Sequence, residues 1–153
     1  MKIYVTWCIG EGETKIIAFD KALYDAGIAD YNLIKLTSII PKKSEVIIKK
    51  LKTDPKKYGN KLYVVLSEQY ETQKGKKAVA GLGWIVSKEG VIFVEYSNNR
   101  EAVTRYIKKS LEHMASYRKM KEKIKTKIVE KICENKPVCV LVVAVYRLEN
   151  GEK

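Results

Sequence analysis

The sequence predicts an α/β sandwich in which helices cover the faces of sheets. Three observations lead there. Two stretches carry apolar residues at helical spacing, about eight shorter runs alternate or are continuously apolar like strands, and recognisable turns separate them. With 153 residues the chain fits a single domain, 1–153, and can bury a core without staples.

Lys2–Cys8 alternates, with Ile3, Val5 and Trp7 on one face, and reads as a strand. Gly10-Glu11-Gly12-Glu13 reads as a turn, and Thr14 can cap the helix that follows. Ile16, Phe19, Leu23 and Ala26 form one helical stripe, which Asp20 borders. Gly27 supplies the left-handed stop. Tyr31–Ile40 is apolar and extended up to Pro41. Residues 41–43 and 49–60 read as basic loops, with a short strand at Val46–Ile48 between them. Leu62–Leu66 is a strand and Gln73–Lys77 a turn. Ala78–Val86 and Val91–Tyr96 form a hairpin around Ser87-Lys88-Glu89-Gly90. Gly81 and Gly83 in its first arm suggest the close approach of another backbone. Asn98 can cap a second helix, with Glu101 completing a capping box. Val103, Tyr106, Ile107, Leu111 and Met114 give that helix its apolar face, and His113 falls off it toward solvent. Residues 124–133 fit both helical and strand periods. The turn Glu134-Asn135-Lys136-Pro137 and the β-rich run Val138–Tyr146 favour a strand.

Net charge is +12, from 30 basic and 18 acidic residues. Such a balance points toward nucleic acid. Only four of the 30 are arginine, however, and arginine is the better fork for phosphates and base edges. The 26 lysines are spread over every segment, as on a solvated surface. That distribution weighs against specific nucleic-acid binding. Residues 1–34 are the exception, with three lysines against five acids, a net −2, while the other 119 residues carry +14. Glu11, Glu13 and Asp20, at a helix and just before it, would suit a cationic small molecule better than a phosphate. Acids near a helix start also complement its dipole.

Several classes drop out. No apolar run reaches the ~20 residues of a membrane-spanning helix, and Lys2–Cys8 is too short for a signal peptide, so no membrane partner is expected. Cys8, Cys133 and Cys139 are odd in number and form no Cys-x-x-Cys, which points to a reducing compartment, the cytoplasm, and to no zinc framework. His113, the single histidine, excludes multi-His metal sites and disfavours a Ser-His-Asp triad. Gly10-x-Gly12 lacks the third glycine of a dinucleotide loop, no Gly-Lys-Ser/Thr follows, and its glutamates would repel phosphate.

Two features remain. Thr37-Ser38 sits in the apolar extended run Asn32–Ile40, just before Pro41. Such a pair ordinarily hydrogen-bonds the backbone at a strand edge. Glu95, in Val91-Ile92-Phe93-Val94-Glu95-Tyr96, shares a face with Val91 and Phe93 by alternation. A carboxyl on an apolar face has a raised pKa and can donate a proton near neutral pH, whereas one at a strand end can simply turn to water.

These residues together carry a resemblance. Gly10-Glu11-Gly12-Glu13-Thr14, Ala18-Phe19-Asp20-x-Ala22-Leu23, Ala26-Gly27-Ile28, Asn32-Leu33-Ile34-x-x-Thr37-Ser38-Ile39-Ile40-Pro41 and, downstream, Glu95-Tyr96 resemble the pyruvoyl-dependent arginine decarboxylases. The match in order and spacing is close over residues 10–41. The resemblance implies a four-layer α-β-β-α sandwich of mostly antiparallel sheets, assembled as a trimer of cut chains with active sites between protomers. It implies a proenzyme in which the Ser38 hydroxyl attacks the Thr37 carbonyl. The peptide bond would become an ester, and β-elimination would free a β chain of residues 1–37 and leave dehydroalanine at position 38. Hydrolysis with loss of ammonia would turn that residue into the pyruvoyl group, made from Ser38, that starts an α chain of residues 38–153. Asn32 would assist near the cut bond. Arginine would condense with the pyruvoyl ketone to a Schiff base and lose CO2, the ketone acting as the electron sink that pyridoxal phosphate is elsewhere, with neither metal nor pyridoxal phosphate needed. Glu95 would be the proton donor and Asp20 would grip the guanidinium. Agmatine for polyamine synthesis would be the product. Decarboxylation of another basic amino acid, and a non-processing basic module that binds nucleic acid, are the alternatives.

Overall fold

The structure is a computed structural model that describes residues 1–37, 39–99 and 102–149. Strand β1 (Lys2–Glu11) leads into α1 (Lys15–Ala26), followed by β2 (Asn32–Lys35), β3 (Ile39–Ile40) and β4 (Glu45–Ile48). A 3-10 turn at Pro55–Lys57 precedes β5 (Lys61–Glu71), β6 (Lys77–Ser87) and β7 (Gly90–Asn98). Then come α2 (Val103–Arg118), β8 (Lys125–Ile132) and β9 (Val138–Glu149). A five-stranded sheet runs β2-β5-β9-β1-β4 and a four-stranded sheet β3-β7-β6-β8. The pairs β1/β4 and β2/β5 are parallel and all others antiparallel.

Three apolar layers hold the stack. Ile3, Val5, Leu82, Trp84, Phe93 and Val140 meet between the two sheets. Ala18, Ala22 and Leu23 of α1 pack on Leu62, Val64, Leu141 and Val143, on the outer face of the larger sheet. Val103, Ile107 and Leu111 of α2 cover Val79, Ile85 and Ile92 of the smaller one. This is the expected four-layer α-β-β-α order. Strand β9 lies between β5 and β1 with core on both faces, so its buried run Val138–Ala144 is continuously apolar rather than alternating.

The local expectations fare unevenly. Thr14 caps α1, its hydroxyl accepting from Ile17 N at 3.2 Å, and Gly27 ends the helix at φ 83°. The hairpin over residues 77–98 and the strand at 125–132 form as expected. The face of α1 holds in part: Leu23 and Ala26 are buried and Phe19 is partly buried against the same core, but Ile16 is 75% exposed, and Ala18 and Ala22 are buried as well. Small residues win that face because α1 lies directly on β1. A Cβ on Gly10 would stand 2.1 Å from the Ala18 carbonyl oxygen. For the same reason Gly10 and Glu11 are not a turn. They extend β1, opposite Cys139 and Val138.

At α2, Asn98 is not the cap. It stays in β7, the helix begins at Val103 behind Ala102 without a side-chain cap, and Glu101 lies outside the described residues. Gly81 and Gly83 admit side chains rather than backbone, because Ile128 and Ile107 fill the space their Cβ atoms would take. Tyr106, expected in the apolar face, is half exposed and stacks on Tyr96 with ring centroids 3.7 Å apart.

Candidate active site

One edge of the sandwich brings the chemistry together. Strand β2 runs parallel to the start of β5, pairing Asn32 with Lys61 through to Lys35 with Val64. Leu36 N still donates to Val64 O, at 2.9 Å. Three residues later the chain is in the other sheet, where β3 pairs Ile39 with Ile92 and Ile40 with Val91 of β7. Between Leu36 and Ile39 the chain therefore passes from one sheet to the other. Thr37 is exposed and belongs to no strand, and Ser38 lies outside the described residues.

Glu95 sits three residues beyond Ile92 on the strand that receives β3, opposite Leu82 of β6. Val91 and Phe93 on its face are buried in the layer between the sheets, as alternation predicts. Glu95 comes at the open end of that layer, where solvent reaches it. Its carboxyl makes no hydrogen bond or ion pair with the described residues. Burial of the carboxyl pushes its pKa above the ordinary glutamate range, with Lys35 opposing the rise and Glu68 adding to it.

Lys35, Glu68 and Tyr70 lie on the face of the larger sheet that α1 covers, where Tyr70 packs against Phe19. Lys35 Nζ lies 3.0 Å from Glu68 Oε1, and the Tyr70 hydroxyl donates to Glu68 Oε2 at 3.4 Å. Burial first, then the Glu68 charge, raise the Tyr70 hydroxyl above its usual value and push the Cys139 thiol up to about 12. Ser67, fully buried, bridges the sheets. Its hydroxyl donates to Tyr96 O at 2.8 Å and accepts from Gly81 N at 3.1 Å. Pattern reading did not single out these residues. The available signal was Lys35 inside an apolar run and the Ser67-Glu68 pair interrupting β5.

The other expected residues lie apart. Asn32 begins β2, and its amide donates to Gly59 O at 2.8 Å. Five residues separate it from Thr37, a span of at most roughly 16 Å at ~3.3 Å per residue. Asp20 is on the outer surface of α1, exposed, with no hydrogen bond or ion pair to the described residues. Glu11 and Glu13 are otherwise engaged. Lys131 Nζ is 3.9 Å from Glu11 Oε1, and Lys136 Nζ is 2.9 Å from Glu13 Oε1. The hydrogen bond and charge of Lys136 hold the Glu13 carboxyl below its usual range. Of the acids in the N-terminal segment that pointed to a cation, Asp20 alone keeps a free carboxylate.

A carboxyl whose pKa is raised by desolvation, at the mouth between two sheets, is the kind of group that acid-base chemistry uses. Comparison with known proteins narrows the class. The chain belongs to the pyruvoyl-dependent arginine decarboxylase family, whose family model (PvlArgDC) matches residues 2–150. A relative named pyruvoyl-dependent arginine decarboxylase in Methanothermobacter thermautotrophicus is 36% identical over 102 residues, 66% of this chain and 65% of that protein. One of the same name in Thermoplasma volcanium is 30% identical over 88 residues, 58% of this chain and 48% of the relative. A third, in Thermococcus sibiricus, is 33% identical over 141 residues, covering 88% and 87%. The match thus spans about half to two-thirds of the first two relatives and most of the third. Among the described residues no helix is long and apolar enough to cross a membrane.

Proposed function

We propose that this chain cuts itself between Thr37 and Ser38 and, carrying a pyruvoyl group made from Ser38, converts L-arginine to agmatine and CO2 for polyamine synthesis. The observation that carries the reading is Glu95: an unpaired carboxyl with a raised pKa, on the strand that receives the chain directly after residue 38. The surroundings suit such a group. The chain is pinned before the crossover by Leu36 on β5 and after it by β3 on β7, so a new chain end at residue 38 stays on the Glu95 strand. When formed, the pyruvoyl ketone withdraws electrons as the substrate carboxylate leaves.

The chain's own residues do the rest. The Ser38 hydroxyl is both nucleophile toward the Thr37 carbonyl and, once acylated, the leaving group that frees Thr37 as a carboxylate. Glu95 holds the proton destined for the carbon that loses CO2. Asp20 offers its free carboxylate to the guanidinium, a fork-to-fork geometry. On α1, Asp20 is surrounded by Ile16, Ile17 and Tyr24, which are 75%, 49% and 60% exposed. An apolar collar around a lone carboxylate supports assembly as a trimer in which a neighbouring chain covers this face and shares the site. Asn32, five residues before Thr37, would act in processing across that same contact. The unpaired thiols of Cys8, Cys133 and Cys139 support a reducing, cytoplasmic setting.

Intact-mass measurement tests the cut. Two fragments divided between Thr37 and Ser38, the larger lacking a free amine, are expected, and Ser38→Ala should leave one chain. Radiolabelled CO2 release from arginine, lysine, ornithine and histidine then ranks substrates. A wild-type protein that stays whole and releases CO2 from none of them overturns the reading.

A further inference from the structure

We propose that Ser67 is a positioning residue for Glu95: its hydroxyl, seated between Gly81 N and Tyr96 O, holds the end of β7 so that the Glu95 carboxyl stays at the mouth between the sheets. The inference rests on the proposed decarboxylation only for the use to which that carboxyl is put.

Strand β7 has need of such a hold. Val91, Ile92 and Phe93 are buried, but from Val94 to Asn98 none is. Core packing therefore fixes the strand firmly up to Phe93 and only loosely at Glu95. That is poor support for a reacting group, because a displacement of about 1 Å can cost ~10²-fold in rate.

Ser67 supplies the hold from the opposite sheet. On β5 it follows Val65 on the face turned to the layer between the sheets, where an apolar residue would ordinarily stand. Among the described residues the buried polar side chains are Thr6, Ser44, Ser67 and Glu71, and of these Ser67 alone bonds the backbone of the opposite sheet. Its hydroxyl donates to Tyr96 O at 2.8 Å and accepts from Gly81 N at 3.1 Å. Gly81 and Tyr96 face each other across the β6/β7 ladder, and the next rung joins Leu82 to Glu95. Leu82 is fully buried, so β6 is the fixed side of that rung and Ser67 ties β7 to it. The hydroxyl cannot turn away without stranding a buried N–H. On the outer face the Tyr96 ring stacks on Tyr106, while Ser67 sets the Tyr96 carbonyl from the inner one.

Two readouts test this. 15N relaxation follows the backbone at Glu95 and Tyr96, and arginine turnover gives kcat and KM. In Ser67→Ala the order parameters of those two residues should drop from the ~0.85 of rigid backbone toward ~0.6. In the same variant kcat should fall roughly tenfold to a hundredfold at unchanged KM, with the cut after Thr37 intact. Ser67→Thr keeps the hydroxyl and should restore both readouts. Gln69→Ala is the comparison. It removes another bond between the sheets, from Gln69 Nε2 to Asn99 Oδ1 past the end of β7, and should leave kcat at the parental value. A role confined to joining the sheets would make the two alanine variants alike. Equal losses of kcat in both, or parental kcat or order parameters in Ser67→Ala, would overturn the proposal. Ser67→Cys, whose thiol bonds weakly from the same position, replaces the alanine variant under the same criteria if that one fails to fold. Loosening of Glu95 by Ser67→Ala, in a protein whose parent releases no CO2 from arginine, would leave the anchoring standing and remove the proposed function.

Discussion

A group that hands over a proton must still carry it when the substrate binds. For Glu95, the proposed donor, desolvation raises the pKa and Lys35 opposes the rise. The sign follows directly. Its pKa lies above the ordinary range, so the competent protonated form persists as pH rises past the usual glutamate midpoint and is lost only on passing the raised one. The decarboxylation rate should therefore fall on that alkaline side. Glu95→Gln should still be cut after Thr37, yet lose roughly 10²–10⁴ in kcat, the usual scale for a missing general acid. Intact mass and CO2 release read the two effects separately. Asp20→Asn should instead raise KM for arginine, by roughly tenfold to a hundredfold, the scale of a lost charge-assisted hydrogen bond. The face on which Glu95 lies was legible, since alternation with Val91 and Phe93 needs only the strand period. The Lys35–Glu68 bond was not, because it joins residues 33 apart through a parallel pairing that local pattern does not encode.

Elements in this protein are spaced by what is missing from them. Helix α1 approaches β1 because Gly10 has no Cβ and Ala18 and Ala22 have little more. Gly10→Ala should therefore destabilise by about 1–3 kcal/mol or more, the added methyl meeting helix backbone that cannot yield. Leu111→Ala, on the face of α2 that is fully buried, should cost about 2–5 kcal/mol. Urea unfolding measures both. Helical spacing made α1 visible but not its orientation. Ile16 looked like core, whereas contact distance put Ala18 and Ala22 there. Residues 124–133 were resolved by their flanking turn, since periodicity alone allowed both structures. Asn98 looked like a cap because of its chemistry, yet its backbone remains paired in β7, opposite Val79.

Across the whole molecule, the +12 charge is carried largely by lysines that serve the surface. Two of them cover the far mouth of the sandwich. Lys127 and Lys50 place their ammonium groups 4.0 and 4.6 Å from the Trp7 ring centre, sealing an aromatic edge while keeping charge in water. Among the described residues, α1 exposes Ile16, Ile17 and Tyr24 together. Replacing Ile16 with Glu should cost the single chain little stability, since the side chain is already exposed, but should break the proposed trimer, as read by light scattering. Loss of arginine turnover in the same variant, with the cut intact, would place the site between chains. The layer order was legible from counting helices and strands. How chains assemble was not, since a residue turned outward for a neighbour looks, in sequence, like one turned inward.

Strand β1 lies between β9 and β4 in the five-stranded sheet, yet it belongs to the first thirty-seven residues. Opening the backbone after Thr37 would give two polypeptides woven through one another. The shorter could not slip out without dismantling the sheet around it, so the nicked protein should resist dilution as firmly as the whole one. Once unravelled by denaturant, though, the pieces would have to find each other by diffusion. Recovery of the nicked form should thus become a second-order process that slows on dilution, while Ser38→Ala refolds at a rate independent of monomer concentration.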